Sequence, residues 1–425
     1  MDEQVERYHK LRALVEELRQ ALPQQQSPPL VLALDHYLER HCRRCGQLLL
    51  EREDEAEQRF CPSCQLQLLS QQPLKNPAAL LKLLTAQGSD PVLSEKLVAY
   101  LLSAPEKELY RLNAYHLAET LEVPRRQLLA TLAPAVLAGL LTLNWELFCL
   151  ACNFQRSTFA SLEEARSRQT CTNCHATYDA PMDEEIVVTF TVSPTVRALD
   201  AQADEWAWRQ QINEQYGRVT GHDLLTVQLF RDLFVNHPLP VHESFKIGRI
   251  ALLFTDLGNS TSLYARWGDP RAYHLVREHF DLLTEMVVAA GGAVVKTIGD
   301  AVMAAFPTSE LALHAACEAQ RATPGFNAER ELDELDALHL KVGLHVGPCL
   351  VVTLNERLDY FGTTVNIAAR LQKLATPGEI LFSEEFLQDV GELPLLQERV
   401  RSPEQLMLRG LEERAFTIYR LRVNA

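Results

Sequence analysis

The sequence has no surplus of basic residues. Its 425 residues carry 41 Lys and Arg against 56 Asp and Glu, a net charge of −15. The deficit is shared, at −9 through residue 245 and −6 beyond it. Neither part therefore offers a broad electrostatic footprint for nucleic acid. An apolar signal core is also lacking. The opening MDEQVERYHKLRALVEELRQAL is charged and patterned as an amphipathic helix to residue 22, so no secretory start is expected. Long apolar runs are scarce. The longest uncharged one, LLATLAPAVLAGLLTL, stops at Asn144 and contains Pro134 and Gly139. It is short for a membrane span and reads as buried core. A soluble, cytoplasmic chain without membrane contact is expected, its cysteines reduced unless they hold metal. Apolar residues make up 47% of the chain, which excludes full disorder. The length suits about two to four domains.

Composition divides the chain into four stretches. Residues 1–72 hold the N-terminal helix, a PQQQSPP linker at 23–29 and a cysteine-bearing segment. Residues 73–195 read as mainly helical to about 148, then as a second cysteine segment and a β-branched strand, EIVVTFTV. Residues 196–245 mix helical pieces with NHPLPVHE and read as a connector. From residue 246 to 425 short apolar runs alternate with helices, an α/β or α+β texture. The whole is expected to be a multidomain α+β protein. Over 113–149, NAYHLAETLEVPRRQLLATLAPAVLAGLLTLNWELFC gives helix, turn at Pro124, helix and strand, which looks like a winged-helix unit. Its second helix begins Arg125-Arg126-Gln127 and is otherwise almost wholly apolar. A packing or sensory module is favoured over a DNA reader, which would need polar and basic side chains along that helix.

Eight of the ten cysteines form two quartets. Fifteen residues separate the pair Cys42 and Cys45 from Cys61 and Cys64; eighteen separate Cys149 and Cys152 from Cys171 and Cys174. Two CxxC knuckles supply four thiolates to one tetrahedral ion, and the spacings suit Zn²⁺. Four protein ligands leave no open position, so two structural zinc ribbons are expected. The CTNCH segment ending at His175 also matches a haem-attachment pattern, but the upstream pair favours zinc and makes His175 a surface or neighbouring residue. Cys317 and Cys349 stand alone among apolar residues and read as small buried hydrophobes.

The chemistry of the last stretch lies in carboxylates. RIALLFTDLGNST is an apolar strand ending at Asp256 and a small-residue turn. A helix over 268–292 follows, and AVVKTIGDAVMAAF reads as two strands folded at Gly299–Asp300. Two acids at strand tips suit Mg²⁺ shared with substrate phosphates. Singly, Asp256 could cap a helix and Asp300 could turn a hairpin. LHLKVGLHVGPCLVVTL reads as two strands around a turn at Gly347–Pro348. LDYFGTTVNIAARLQKLA reads as a loop at Asp359 that becomes helix near Val365, with Asn366 and Arg370 one turn apart on one face. An Arg beside an Asn can stabilise charge on a phosphoryl group.

FTDLGNST, VVKTIGDAVMAAF, VGLHVGP and DYFGTTVNIAARL together closely resemble the catalytic domain of class III nucleotidyl cyclases, over residues 246–425. The front half more loosely resembles the N-terminal region of some bacterial cyclase-domain proteins. The resemblance implies a ferredoxin-like α/β domain. It implies that Asp256 and Asp300, with the Leu257 carbonyl, bind two Mg²⁺ or Mn²⁺ ions, and that Lys296 and Asp359 select adenine. It gives Asn366 and Arg370 the ribose and the transition state, and gives Arg409 the triphosphate. Backbone amides of Gly258, Asn259, Ser260 and Thr261 would cradle phosphates. This turn departs from the family's DxxGST order, with Gly258 one place early and Asn259 in the usual glycine position. The implied reaction is conversion of ATP to cyclic AMP and pyrophosphate by a homodimer whose sites combine both copies. Two rival readings are a nucleotide-binding sensor or scaffold with weak turnover, and a zinc-ribbon, winged-helix regulator of DNA or protein.

Overall fold

The computed structural model describes residues 76–423, save 88, 234–238, 241, 259, 356, 392–399, 401, 409 and 412–414. The expected helix at 1–22 and the first cysteine quartet, Cys42, Cys45, Cys61 and Cys64, lie outside the described residues, as do Asn259 and Arg409.

The front part opens with helices α1 (Pro77–Ala86), α2 (Pro91–Ser103), α3 (Glu106–Leu109), α4 (Ala114–Leu121) and α5 (Arg125–Leu137). Several starts are set by local chemistry. Asn76, Asp90 and Asn113 cap α1, α2 and α4 through their side chains, and Pro occupies the first position of α1 and α2. A sheet in the order β2–β1–β5 follows, from β1 (Leu141–Phe148), β2 (Gln155–Phe159) and β5 (Ile186–Val192). A small hairpin, β3 (Arg168–Thr170) with β4 (Thr177–Asp179), is inserted between β2 and β5. The helix–turn–helix–strand order expected around Pro124 is present. Arg126 of α5 donates to the Thr226 carbonyl at 2.6 Å, and Leu128, Leu129, Leu132 and Ala135 of the same helix are buried. That helix serves packing, and its Arg126 is spent on the interior rather than on a phosphate.

The stretch read as a connector is folded. It carries α6 (Trp206–Tyr216), α7 (Gly221–Leu225) and α8 (Gln228–Leu233), and Leu224, Leu225 and Phe230 enter the core completely.

The C-terminal part is built on one large sheet, in the order β12–β13–β11–β9–β6–β8–β7, with β10 paired to β9. Its strands are β6 (Phe245–Leu257), β7 (Ala293–Ile298), β8 (Ala301–Phe306), β9 (Leu340–Leu354), β10 (Arg357–Phe361), β11 (Glu379–Ser383), β12 (Glu404–Met407) and β13 (Ala415–Arg422). Helices α9 (Ser260–Trp267) and α10 (Asp269–Ala289) join β6 to β7, and α11 (Ser309–Glu329) joins β8 to β9. α12 (Thr363–Leu374) and α13 (Glu384–Val390) follow β10 and β11. The centre is thus a β–α–β–β–α–β unit, as a ferredoxin-like domain requires.

The apolar run of β6 follows from burial on both faces. Ile250, Leu252 and Phe254 enter one core, and Ala251, Leu253 and Leu257 enter the other. β8 alternates likewise, with Met303 and Ala305 on one side and Val302, Ala304 and Phe306 on the other. α10 and α11 cover the second face. The first face shares its core with Leu97, Leu132, Trp145 and Phe190 of the front part.

Two local expectations are corrected. No turn interrupts LHLKVGLHVGPCLVVTL, because β9 runs unbroken through Gly347 and Pro348. Opposite it, Ile247 pairs with Cys349 and Ile250 with Gly347, so Gly248 and Arg249 together face Pro348. This bulge asks no ladder bond of the proline, and the freed Gly248 N–H donates to Asp183 at 2.7 Å. Asp359 lies in the middle of a strand, paired with Val352, rather than in a loop, and α12 starts at Thr363.

Candidate active site

Asp256 stands at the end of β6, where the ladder pairs it with Lys341 of β9. Lys341 Nζ lies 2.5 Å from Asp256 Oδ2. Lys341 was not singled out from the sequence; its spacing carries no signal, and only the strand register brings it to the carboxylate. On the other side of β6, Thr255 pairs with Val302, so Asp256 and Asp300 flank the same end of the β6–β8 ladder. Asp300 occupies a two-residue hairpin turn, since Ile298 pairs with Ala301. Gly299 precedes it at φ 64°, a conformation open to glycine at no steric cost.

Asp300 Oδ2 is buried and has no hydrogen-bond partner among the described residues. A buried polar atom without a partner is costly and marks a place for a missing one. A hard cation bound by Asp256, Asp300 and the nearby Leu257 carbonyl fits this donor set. Tyr264 of α9 is close enough to feel Asp300: burial raises its phenol pKa first, and the carboxylate adds to the rise.

The turn after Asp256 is tightly placed. Gly258 N donates to the His339 carbonyl at 2.8 Å, and a Cβ at Gly258 would stand 2.8 Å from Pro377 Cγ. Glycine at this place therefore has a packing reason. Ser260 and Thr261 form the first residues of α9.

Lys296 and Asp359, 63 residues apart, form an ion pair. Asp359 is buried, and its Oδ1 also accepts from Tyr360 N at 2.8 Å. Lys296 follows a register shift on β7, where Val294 pairs with Ala304 and Lys296 with Met303. Such a bulge re-aims a side chain. Helix α8 braces both strands. Val294 N donates to Gln228 Oε1 at 2.7 Å, and Arg231 Nη2 donates to the Leu358 carbonyl at 2.6 Å. Neither Gln228 nor Arg231 was legible as a site neighbour, because each acts across a long stretch of chain.

Asn366 and Arg370 share one face of α12, Asn366 exposed and Arg370 partly so. The helix rests directly on β9. A Cβ at Gly343 would fall 2.2 Å from Gln372 N, and Thr364 Oγ1 donates to the Pro348 carbonyl at 2.5 Å. Gly410 lies beside Arg370, since a Cβ there would be 3.7 Å from Arg370 Nη2. Among the described residues, no hydrogen bond or ion pair joins Asp256 or Asp300 to Asn366 or Arg370.

The second cysteine quartet is assembled at the tips of two hairpins. The sulfurs of Cys149, Cys152, Cys171 and Cys174 all lie within 4.8 Å of one another. Cys149 is 3.6 Å from Cys174 and Cys152 is 3.7 Å from Cys171. A tetrahedral Zn–S bond of ~2.3 Å places sulfurs roughly 3.8 Å apart, so the cluster fits such an ion. Both knuckles fold alike: Asn153 N bonds back to the Cys149 carbonyl, His175 N to the Cys171 carbonyl, and each residue takes positive φ. His175 is exposed and outside the cluster. Cys317 and Cys349 are buried, with burial pushing their thiols up to about 11 and about 12. No helix among the described residues is long and apolar enough to cross a membrane.

Comparison with known proteins divides the chain at the same place. Residues 243–419 match the family described as the adenylate and guanylate cyclase catalytic domain, and residues 74–232 match a family of unknown function (DUF5939). An adenylate cyclase of Mycosarcoma maydis is 34% identical over 161 residues, covering 34% of this chain and 6% of that protein. One of Lachancea kluyveri is 30% identical over 171 residues, covering 36% and 9%. The chain thus spans less than a tenth of these relatives' lengths. A solved structure of adenylate cyclases from Trypanosoma brucei in their monomeric state is 25% identical, covers 41% of this chain and 89% of its own, and has a TM-score of 0.36. Its carboxylates, ion pair and helix α12 follow the order the motifs require, and the C-terminal part of the chain, residues 243–419, matches the adenylate and guanylate cyclase catalytic domain.

Proposed function

We propose that this chain converts ATP to cyclic AMP and pyrophosphate. The observation that carries this reading is the contact between Lys296 and Asp359. A lysine donates to the ring acceptor of adenine and an aspartate accepts from its exocyclic amine; guanine presents the opposite pattern. Asp256, Asp300 and the Leu257 carbonyl would hold two Mg²⁺ or Mn²⁺ ions. When bound, such ions acidify the ribose 3′-hydroxyl and neutralise the triphosphate. Asn366 orients the ribose, and Arg370 neutralises charge developing on the α-phosphoryl group. Arg409 and the backbone of 258–261 take the triphosphate, and Lys341 adds a cation beside Asp256.

The site is proposed to be composite, with Asp256 and Asp300 from one copy and Lys296, Asp359, Asn366 and Arg370 from another. Large apolar side chains near these residues support a homodimer: Phe361 is 62% exposed and Ile298 51%. The test is incubation of purified protein with ATP or GTP and Mg²⁺ or Mn²⁺, with products identified by mass. Cyclic AMP from ATP alone is expected. No cyclic product from dimeric protein would refute the reading and favour a nucleotide sensor.

Zinc is proposed for each cysteine quartet, as a structural ion. Replacing Cys171 with serine should lower bound zinc by about one ion per chain and destabilise the front part, measured by elemental analysis and thermal denaturation. Unchanged zinc content would refute a metal at this cluster.

A further inference from the structure

The front part contains a cleft of about 530 Å³ between β2 and the start of α6. That volume lies in the range of small-molecule sites. Its polar lining includes Arg111, Arg209, Asp204 and Ser157, and its aromatic lining is Phe154 and Trp206.

Arg209 is only 7% exposed. A buried guanidinium should have its donors met. Arg209 Nη2 donates to Asp204 Oδ1 at 2.5 Å, and Nη1 stands 3.8 Å from Glu146 Oε2, beyond hydrogen-bond length. Its Nε is buried with no partner among the described residues. Arg111 Nε is 3.5 Å from Glu146 Oε1, and that oxygen already accepts from Thr189 Oγ1 at 2.7 Å. Glu146 is therefore shared, loosely, by two arginines. Burial raises its pKa, against the opposing pull of the two arginines. The Ser157 hydroxyl is also buried without a partner among the described residues. Among the described residues, Arg209 Nε and the Ser157 hydroxyl thus lack partners at this cleft, and Arg111 is held by Glu146 only at 3.5 Å.

The aromatic residues say what else the occupant carries. Phe154 is 43% exposed and Trp206 41%. Trp206 also stacks on Phe148, at 6.3 Å and 16° between planes, and Arg209 sits 5.2 Å from the Trp206 ring. A flat apolar body would cover these surfaces, and a carboxylate would meet the fork of N–H donors. A cation would face two arginines, and of the two carboxylates set against them only Asp204 lines the cleft. The cysteine cluster sets the geometry: Phe154 and Ser157 follow the Cys149–Cys152 knuckle, and Asn153 of that knuckle bonds Gln210 of α6 at 3.2 Å.

We propose that this cleft binds a small planar carboxylate, its acid group on Arg111 and Arg209 and its ring against Phe154 and Trp206. The site is separate from the nucleotide site and does not depend on the cyclase reading.

The test is calorimetric titration of the full chain with benzoate and indole-3-acetate, and with benzamide and indole-3-acetamide as neutral counterparts. At least one acid should bind at or below about 1 mM, and its amide at least about tenfold more weakly. Arg111→Gln and Trp206→Ala, both at partly exposed positions, should each weaken the acid about tenfold or more while circular dichroism stays unchanged. Failure of both acids to bind, equal binding of acid and amide, or wild-type affinity in a folded variant would each overturn the proposal. Should one variant not fold, the other decides.

Discussion

Asp300→Ala is expected to lower cyclic AMP formation by at least about 10³-fold, the scale of losing charge stabilisation at a phosphoryl transition state. The same change should leave the fold intact. Asp300 sits in a two-residue turn whose conformation depends on Gly299, and its buried Oδ2 makes no hydrogen bond among the described residues. Deleting an unsatisfied buried oxygen removes a cost rather than a contact. Thermal denaturation should therefore show stability unchanged or slightly raised. This pairing of outcomes separates a functional carboxylate from a structural one. Asp256→Ala would be a poorer test, because it leaves Lys341 without its partner. Mixing Asp300→Ala with Arg370→Ala should restore activity to about a quarter of wild type, since each mixed dimer would regain one intact composite site. Retained turnover in Asp300→Ala would remove the metal role from this residue; no recovery on mixing would remove the shared site.

The second large effect concerns the base. The double variant Lys296→Glu with Asp359→Cys should move preference from ATP toward GTP by roughly 10²-fold or more, because unpaired groups in a built site reject the wrong hydrogen-bond pattern strongly. The measurement is the ratio of cyclic GMP to cyclic AMP formed from equal nucleotide concentrations. An unchanged ratio would show that the base is read elsewhere. The single variant Lys296→Ala is less informative. Asp359 is 9% exposed at its side chain, and removing its cation leaves a buried charge uncompensated. Lost activity could then reflect a displaced β10. The contacts of Gln228 with Val294 and Arg231 with Leu358 add a physical route from the front part to this pair, since they brace the strands that carry it.

Much of the site was legible because its residues sit where short-range patterns are strongest. An apolar run and the small-residue turn marked the strand ending at Asp256. The Gly299–Asp300 dipeptide marked the hairpin, and the spacing of four marked the shared face of Asn366 and Arg370. The second CxxC quartet announced its own geometry, since each knuckle is closed by local bonds within five residues. Pro348 misled for a matching reason. Locally, glycine followed by proline signals a turn, and only the bulge at Gly248–Arg249 in the neighbouring strand makes an unbroken strand acceptable. Asp359 misled similarly, being held in a strand by pairing with Val352.

The sequence by itself therefore determined most of the elements, the acids at the end of β6 and in the β7–β8 turn, the second pair of cysteine knuckles and the order of the cyclase motifs. Periodicity, turn chemistry and chelate spacing act over a few residues and survive in a linear reading. Only the tertiary structure decided that Lys341 reaches Asp256, that Lys296 meets Asp359, that helix α8 braces both strands, and that two arginines share one glutamate beneath a cleft. Those outcomes depend on strand register, bulges and burial. Each is a property of segments far apart in the chain, made adjacent when two faces of one sheet bury their apolar residues in separate cores.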